Sequence, residues 1–318
     1  MEIWLSIVGF LVVIAIIASI MTKKLSTMVA LSVIPLIGAI LVGEFANIPA
    51  FLAAGVSKVA VNGVMFFFAI LFFGSMMTAG AFDPIVNFII KCCRGNPLYV
   101  CIGTYVLSIV GHLDGSATTT VLLVCGAMVP IYKRMNMRLR NLAAVLAMGA
   151  GLMNISPWGG PTLRAATVME MDLTEFFQPM LIPILITIAA GLVPVVLIGL
   201  SETKRLKAEG FDYAAVTVET QAQELSDEAR ALLRPRLVIP NLILIVLVVG
   251  LMISGILSPA AAFLTGTALS WLLNYRKMED QQKIMRLHGA NAVFVVSALY
   301  GAGVLMGVLT ESGMAAAM

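Results

Sequence analysis

Histidine is nearly absent from this sequence, and two residues in 318 exclude a histidine-rich metal centre. The four cysteines, Cys92, Cys93, Cys101 and Cys125, have neither zinc-type spacing nor the makings of a disulfide framework. Cys92 and Cys93 stand beside Lys91 and Arg94, which suggests a reduced, cytoplasmic edge. Charge is scarce as well, at 12% of residues. No basic residue precedes the first apolar run, Ile3 to Met21; Lys23 and Lys24 follow it. That order is the reverse of a secretory leader, so the run reads as a retained span.

What fills the chain instead is hydrocarbon: 60% hydrophobic residues and a mean hydropathy of +1.00. These values exclude a soluble globular domain and a disordered chain, leaving an all-α polytopic membrane protein. The net charge of +3 is spread over loops, so no nucleic-acid partner is implied. Spans are expected at about 2–21, 27–43, 61–80, 177–200, 237–257, 259–275 and 290–310. Gly43 to Val59 reads as a separate surface segment interrupted by Pro49. With Lys23 and Lys24 inside, every other Lys and Arg except Lys58 and Arg164 falls in an inside loop. The positive-inside rule then places the N-terminus outside an inner, cytoplasmic membrane. The loop 201–236 is the one sizeable soluble stretch, with a short helix capped by Ser226 and charges on a solvated face.

Two stretches depart from plain spans. Residues 97–131 have cytoplasmic charge at both ends and His112-Leu-Asp-Gly-Ser116 in the middle. Each half reaches roughly 22 Å as helix, short of a crossing, so a re-entrant hairpin is expected. The alternative is two short full spans with 112–116 in an outer loop. Residues 141–171 form one apolar helix broken by Asn154-Ile-Ser-Pro-Trp-Gly-Gly-Pro-Thr-Leu-Arg164. A simple kink needs one proline; Pro157, Gly159, Gly160 and Pro161 together mark an interrupted membrane helix of the kind that binds transported solutes.

An internal repeat accompanies these elements. Leu25-Ser26 and Leu257-Ser258 stand 232 apart, and Gly74-x5-Gly80 and Gly307-x5-Gly313 stand 233 apart. The element order matches while the expected orientation reverses, which is an inverted repeat. The domains are then a first repeat, 1–200, a cytoplasmic linker, 201–236, and an incomplete second repeat, 237–318. A complete second copy would need a chain of roughly 433 residues, so truncation in the second repeat is expected.

The residues that carry chemistry cluster at the hairpin tip and the break. Ser116 is expected to cap the second hairpin arm, and Gly160 the outer half of the broken helix with Pro161 first. Both helix N-termini suit carboxylates. Thr118, Thr119 and Thr162 add hydroxyl donors, and Asn154 can donate or accept. Arg164 needs an anion inside a membrane, either a substrate carboxylate or Asp114. Asp114 is a proton or cation site, or a cap for tip amides; His112 shares its proton or is a plain hydrogen-bond partner. Trp158 walls the cavity or packs, and the spacing leaves both open.

His112-Leu-Asp-Gly-Ser-Ala-Thr-Thr-Thr120 and Asn154-Ile-Ser-Pro-Trp-Gly-Gly-Pro-Thr-Leu-Arg-Ala-Ala166 resemble signatures of the citrate–metal:proton symporters of the ion transporter superfamily. Phe72-Phe73-Gly74 and Ala79 to Pro84 are similar to that family too. The resemblance implies a dimeric elevator that takes up citrate complexed with a divalent cation, Mg²⁺ or Ca²⁺, driven by protons and needing no cofactor. On it, Ser116, Thr118, Thr119, Asn154, Pro157, Gly159, Gly160, Thr162 and Arg164 bind substrate. Asp114 and His112 couple protons, and Asp114 touches the metal only as part of the cargo. One departure stands out: family members read Asp-Gly-Asp-Gly-Ala-Thr-Thr, whereas Ser116, Ala117 and Thr118 stand here. The lost carboxylate opens free di- or tricarboxylates as cargo, with protons or sodium, and a non-functional truncated fragment is the remaining alternative. A passive channel also stays open, whereas an aspartyl protease would need Asp83 and Asp114 to share a proton, and their expected depths differ.

Overall fold

The computed structural model describes residues 2–93, 95–113, 115, 117–169, 171, 173–211 and 227–318. Side chains at 118, 163, 164, 167, 168, 174 and 227–229 lie outside that description. All regular structure among the described residues is helical. Among them, five helices are long and apolar enough to cross a membrane, within 2–21, 45–78, 175–208, 230–253 and 278–311.

One compact unit comprises residues 1–67 and 290–318. It contains α1 (Glu2–Met21), α2 (Thr27–Leu41), the first part of α3 (Ile48–Thr78), the last part of α14 (Met278–Glu311) and α15 (Met314–Ala317). Helix α1 buries Val8, Val12 and Ile16, a four-residue spacing that makes one stripe. Ile3, Leu11, Ile14 and Ile17 on its other faces stay more than half exposed, a surface suited to lipid. The hydroxyl of Ser26 caps α2 by accepting from the Val29 amide at 3.4 Å.

Two expectations need correction here. Residues 43–59 are not a separate surface segment: after a 3-10 turn at Phe45–Asn47, α3 runs unbroken from Ile48 to Thr78. Pro49 is its second residue, where the missing N–H would have had no helical partner. The last span likewise starts earlier than 290, because α14 begins at Met278 with Glu279 and Asp280 favourably placed in its first turn. Both helices are buried where they cross: a Cβ on Gly55 would come within 2.1 Å of the Gly303 carbonyl oxygen. Only bare backbone fits there.

The second unit comprises residues 68–289. It holds α4 (Asp83–Cys93), α5 (Pro97–Gly111), α6 (Ala117–Arg134), α7 (Leu139–Met153), α8 (Gly160–Val168), α9 (Leu173–Phe177) and α10 (Leu181–Ala208). It also holds α11 (Asp227–Leu232), α12 (Val238–Ile253), α13 (Pro259–Asn274) and the remaining parts of α3 and α14. The expected hairpin is α5, a turn and α6; the expected broken helix is α7, a break and α8. Helix α11 begins where the linker helix was expected, while its proposed cap, Ser226, lies outside the described residues.

Helix α5 is the inner member of this unit, capped by Asn96, whose side chain accepts from the Leu98 amide at 3.0 Å. Gly149 of α7 lets that helix approach: a Cβ there would meet Ser108 Cβ at 2.7 Å and the Tyr105 carbonyl at 2.9 Å. Gly199 does the same for α10 against Leu98 Cα, at 2.8 Å. Polar ties then fix the register. Tyr105 donates to the Ile188 carbonyl of α10 at 2.9 Å.

Not all charges of the 201–236 stretch lie on a solvated face. Glu202 has only 2% of its side chain exposed; it accepts from Asn141 Nδ2 at 2.9 Å and from Arg205 Nη2 at 2.8 Å. The start of α7 is thereby tied to α10. Arg234 donates to the Asn274 carbonyl at 2.7 Å and to Asp280 at 3.1 Å, with its guanidinium 5.2 Å from the Tyr275 ring centre. Its own amide bonds the Ala79 carbonyl at 3.0 Å, so the linker's end is fastened to α3 and α13.

Candidate functional site at the hairpin tip and helix break

Helix α7 ends at Met153 because Pro157 and the following glycines cannot supply further helical turns. Asn154 is its C-cap, donating its backbone N–H to the Ala150 carbonyl at 3.2 Å. The chain then folds tightly over itself through 154–159. Gly159 donates to the Ser156 carbonyl at 2.8 Å, and a Cβ on Gly159 would lie 2.0 Å from the Asn154 carbonyl oxygen. No side chain fits at 159. Helix α8 opens at Gly160 with Pro161 second, one residue earlier than expected.

The hairpin tip and the break are joined by two side-chain bonds. Trp158 Nε1 donates to the Leu113 carbonyl at 2.7 Å. His112, buried as the C-cap of α5, places Nε2 3.1 Å from Asn154 Oδ1 and Nδ1 2.7 Å from Thr120 Oγ1. The Thr120 hydroxyl also lies 3.1 Å from the Gly111 carbonyl, bridging the two arms of the hairpin. The Trp158 ring packs against Phe73 at 4.9 Å and Phe263 at 5.6 Å between centroids. Trp158 therefore packs. It also lines an open cavity of about 530 Å³ with Phe73, Leu113, Ile245, Val249 and Ile253. That lining is hydrocarbon, so the cavity is no place for a carboxylate.

Thr162 is the most informative residue of the site. It lies in the first turn of α8, is 3% exposed, and its hydroxyl has no hydrogen-bond partner among the described residues. Deeper in a helix a threonine would donate to the carbonyl four residues back; here that position, Trp158, lies in the break. A buried unpaired hydroxyl costs about 1–3 kcal/mol, and this one stands at a helix N-terminus whose amides also lack helical partners. The arrangement suits an anion that accepts from several donors.

Of the residues expected at the site, the structure brings His112, Asn154, Pro157, Gly159, Gly160 and Thr162 into the tip and the break. Thr119 is half-buried in the first turn of α6. Asp114 and Ser116 lie outside the described residues; Thr118 and Arg164 belong to α6 and α8, but their side chains lie outside the description. Thr120 was read only as part of a threonine run. Its partnership with His112 has no sequence signal beyond falling one turn into the second arm.

The sequence profile of the citrate transporter family matches residues 5–318. A citrate transporter of Bacillus subtilis (strain 168) is 37% identical over 99% of this chain and 72% of its own length. A Mg²⁺/citrate complex secondary transporter of the same organism is 36% identical over 98% of the chain and 71% of its own length. The uncharacterized transporter YraO, also from B. subtilis, is 33% identical over 98% of the chain and 72% of its own length.

Proposed function

The chain belongs to the citrate transporter family, and on that premise we propose that it is a symporter taking up citrate with a divalent cation, driven by protons. It is a multi-pass membrane protein and not an enzyme. The observation that carries the site reading is the buried hydroxyl of Thr162 at the N-terminus of α8, unpartnered among the described residues. Carboxylate oxygens would accept from that hydroxyl and from the amides of α8, with Ser116, Thr118, Thr119 and Arg164 closing around the remaining charge. Asp114 takes the proton and offers the cargo's cation one oxygen; Mg²⁺ keeps the rest of its shell from citrate and water.

The relative that carries a Mg²⁺/citrate complex supports metal in the cargo. Ser116, standing where the family pattern has a carboxylate, supports a second reading in which free di- or tricarboxylates are carried. Labelled citrate uptake with and without Mg²⁺ or Ca²⁺, and with the proton gradient collapsed by an uncoupler, separates them. Uptake that needs both metal and gradient is expected; gradient-driven uptake indifferent to metal selects free carboxylate, and uptake that survives the uncoupler removes proton coupling. Asp114→Asn and Arg164→Ala should each abolish uptake in protein that still reaches the membrane. Normal transport by both would remove these residues from the site.

The same reading includes an inverted repeat, with residues 237–318 as part of the second copy, in a homodimer of the cell membrane with the N-terminus outside. Helices α2 and α13 open alike, on Ser26 and Ser258, each accepting from the amide three residues on at 3.4 Å. Helices α3 and α14 are each followed by a left-handed glycine, Gly80 at φ 77° and Gly313 at φ 78°. Partners correspond too: a Cβ on Gly307 would lie 2.8 Å from Gly55 Cα, and at the same offset of 233 a Cβ on Gly74 would meet His288. A two-fold relation between copies accounts for such pairs.

A further inference from the structure

We infer that His112 and Thr120 are positioning residues that turn the Asn154 side-chain amide so that its NH₂ edge faces the transported carboxylate. The inference rests on the reading that the break receives a carboxylate. It adds which end of Asn154 does so and what decides it.

With the Asn154 amide turned as it stands, Oδ1 toward the ring, the protons follow. Asn154 Oδ1 carries no hydrogen, so the 3.1 Å contact requires His112 Nε2–H as donor. A neutral imidazole protonated on Nε2 has a lone pair on Nδ1, and that nitrogen, 2.7 Å from Thr120 Oγ1, accepts the hydroxyl proton, which it shares with the more distant Gly111 carbonyl at 3.1 Å. The chain runs Thr120 O–H to His112 Nδ1, then His112 Nε2–H to Asn154 Oδ1. It fixes a ring that is itself buried at 2% exposure.

An amide is planar, so committing Oδ1 to the histidine directs Nδ2 and its two hydrogens to the opposite edge. Asn154 is only half-buried, and Nδ2 has no protein partner among the described residues. The residue cannot drift from this place, because its carbonyl is pressed over Gly159 at a distance that admits no Cβ. The break therefore presents an uncommitted two-hydrogen donor, and the oxygen that could have bound a cation is occupied. Asn154 reads an organic oxygen of the cargo. It does not read the cargo's metal.

The test uses KM and kcat for labelled citrate uptake, with the citrate-induced rise in melting temperature of the purified protein as a second readout. Asn154→Asp keeps an acceptor for His112 but replaces the donor by a carboxylate, and KM should rise about 100-fold at little change in kcat. His112→Leu, which lets the amide turn, should raise KM about 10-fold, and His112→Gln, whose amide can donate in place of Nε2–H, should restore most of it. Should Asn154→Asp fail to accumulate, Asn154→Leu is measured in its place, with a rise of about 10-fold expected. Unchanged KM at Asn154, or a His112→Gln variant no better than His112→Leu, overturns the inference. Thr162→Val reads the underlying site. A raised KM there with an unchanged KM at Asn154 sinks the positioning role alone, whereas an unchanged KM in both removes the carboxylate site with it.

Discussion

In the unit of residues 1–67 and 290–318, helices meet mainly through alkyl groups and bare backbone, with Trp4 Nε1 donating to the Leu41 carbonyl at 3.2 Å. Val8, Val12, Ala30, Ala39, Val304 and Val308 fill its core, and Gly55 lies against Gly303 and Gly307. In the unit of residues 68–289, helix meetings carry hydroxyls, amides and a ring as well. Ser75 shares a 3.0 Å bond with Ser270, Tyr275 donates to the Ser75 carbonyl, and Asn241 and Asn274 exchange amide bonds at 2.9 and 2.8 Å. His288 bonds Thr78 at 2.9 Å. Lipid gives no hydrophobic reason for apolar helices to associate, so close backbone contact holds the first kind of interface. Hydrogen bonds add direction. Directional ties are what a binding constellation requires, because its groups must be held within about 0.5 Å of their working geometry. The polar unit is the one containing the helix break.

The largest effect should come from the tie beneath that break. Glu202→Leu strips Asn141 Nδ2 of its acceptor and takes one of three acceptors from Arg205, which keeps Glu209 and the Asn136 carbonyl, at a cost of roughly 3 kcal/mol. Thermal unfolding of the purified protein in detergent measures it, and a loss below about 1 kcal/mol would show that α7 is held to α10 by packing alone. A Cβ at Gly55 tests the apolar unit. Its contact is backbone, the Gly303 carbonyl at 2.1 Å, so nothing flexible can yield. Gly55→Ala should destabilise by about 1–3 kcal/mol while leaving citrate KM unaltered. A shift in KM without loss of melting temperature would contradict the separation of roles.

How much of this was legible before the structure depends on where the signal sits. The break was legible because Pro157, Gly159, Gly160 and Pro161 act locally, through missing donors and missing side chains. The two helical arms were legible because charge flanks 97–131 at both ends and His112 to Ser116 interrupt its middle. Helices α3 and α14 were cut short in the reading for opposite reasons. Pro49 looked like an interruption but is a helix start, and the charges from Glu279 to Arg286 looked like loop but are the first turns of α14. Hydropathy reports where a helix leaves the hydrocarbon, not where it ends. The bonds that organise the site join residues 42 and 45 positions apart, His112 to Asn154 and Leu113 to Trp158. Glu202 reaches Asn141 over 61. No periodicity carries such pairs; only the packing of α5 against α7 and α10 brings them together.

The finest discrimination between the two units lies in the Ser75–Ser270 pair. Ser75 already donates to the Phe72 carbonyl at 2.8 Å, so its only proton is spent within its own helix. Ser270 must then supply the proton of the 3.0 Å bond between them. Losing Ser75 leaves Ser270 free to turn to another acceptor, and losing Ser270 leaves Ser75 bonded to Phe72. Neither single change strands a buried group, so the coupling should be near the average for membrane helix pairs, about 0.6 kcal/mol. A double-mutant cycle with Ser75→Ala and Ser270→Ala, read by unfolding, measures it directly. A coupling above about 1.7 kcal/mol would exceed what such bonds give in membranes, and would make the pair a principal clamp of its unit. A coupling of zero would mean that α3 meets α13 through shape alone, as α3 meets α14 at Gly55, and the contrast between the units would then rest on Asn241, Asn274 and Tyr275.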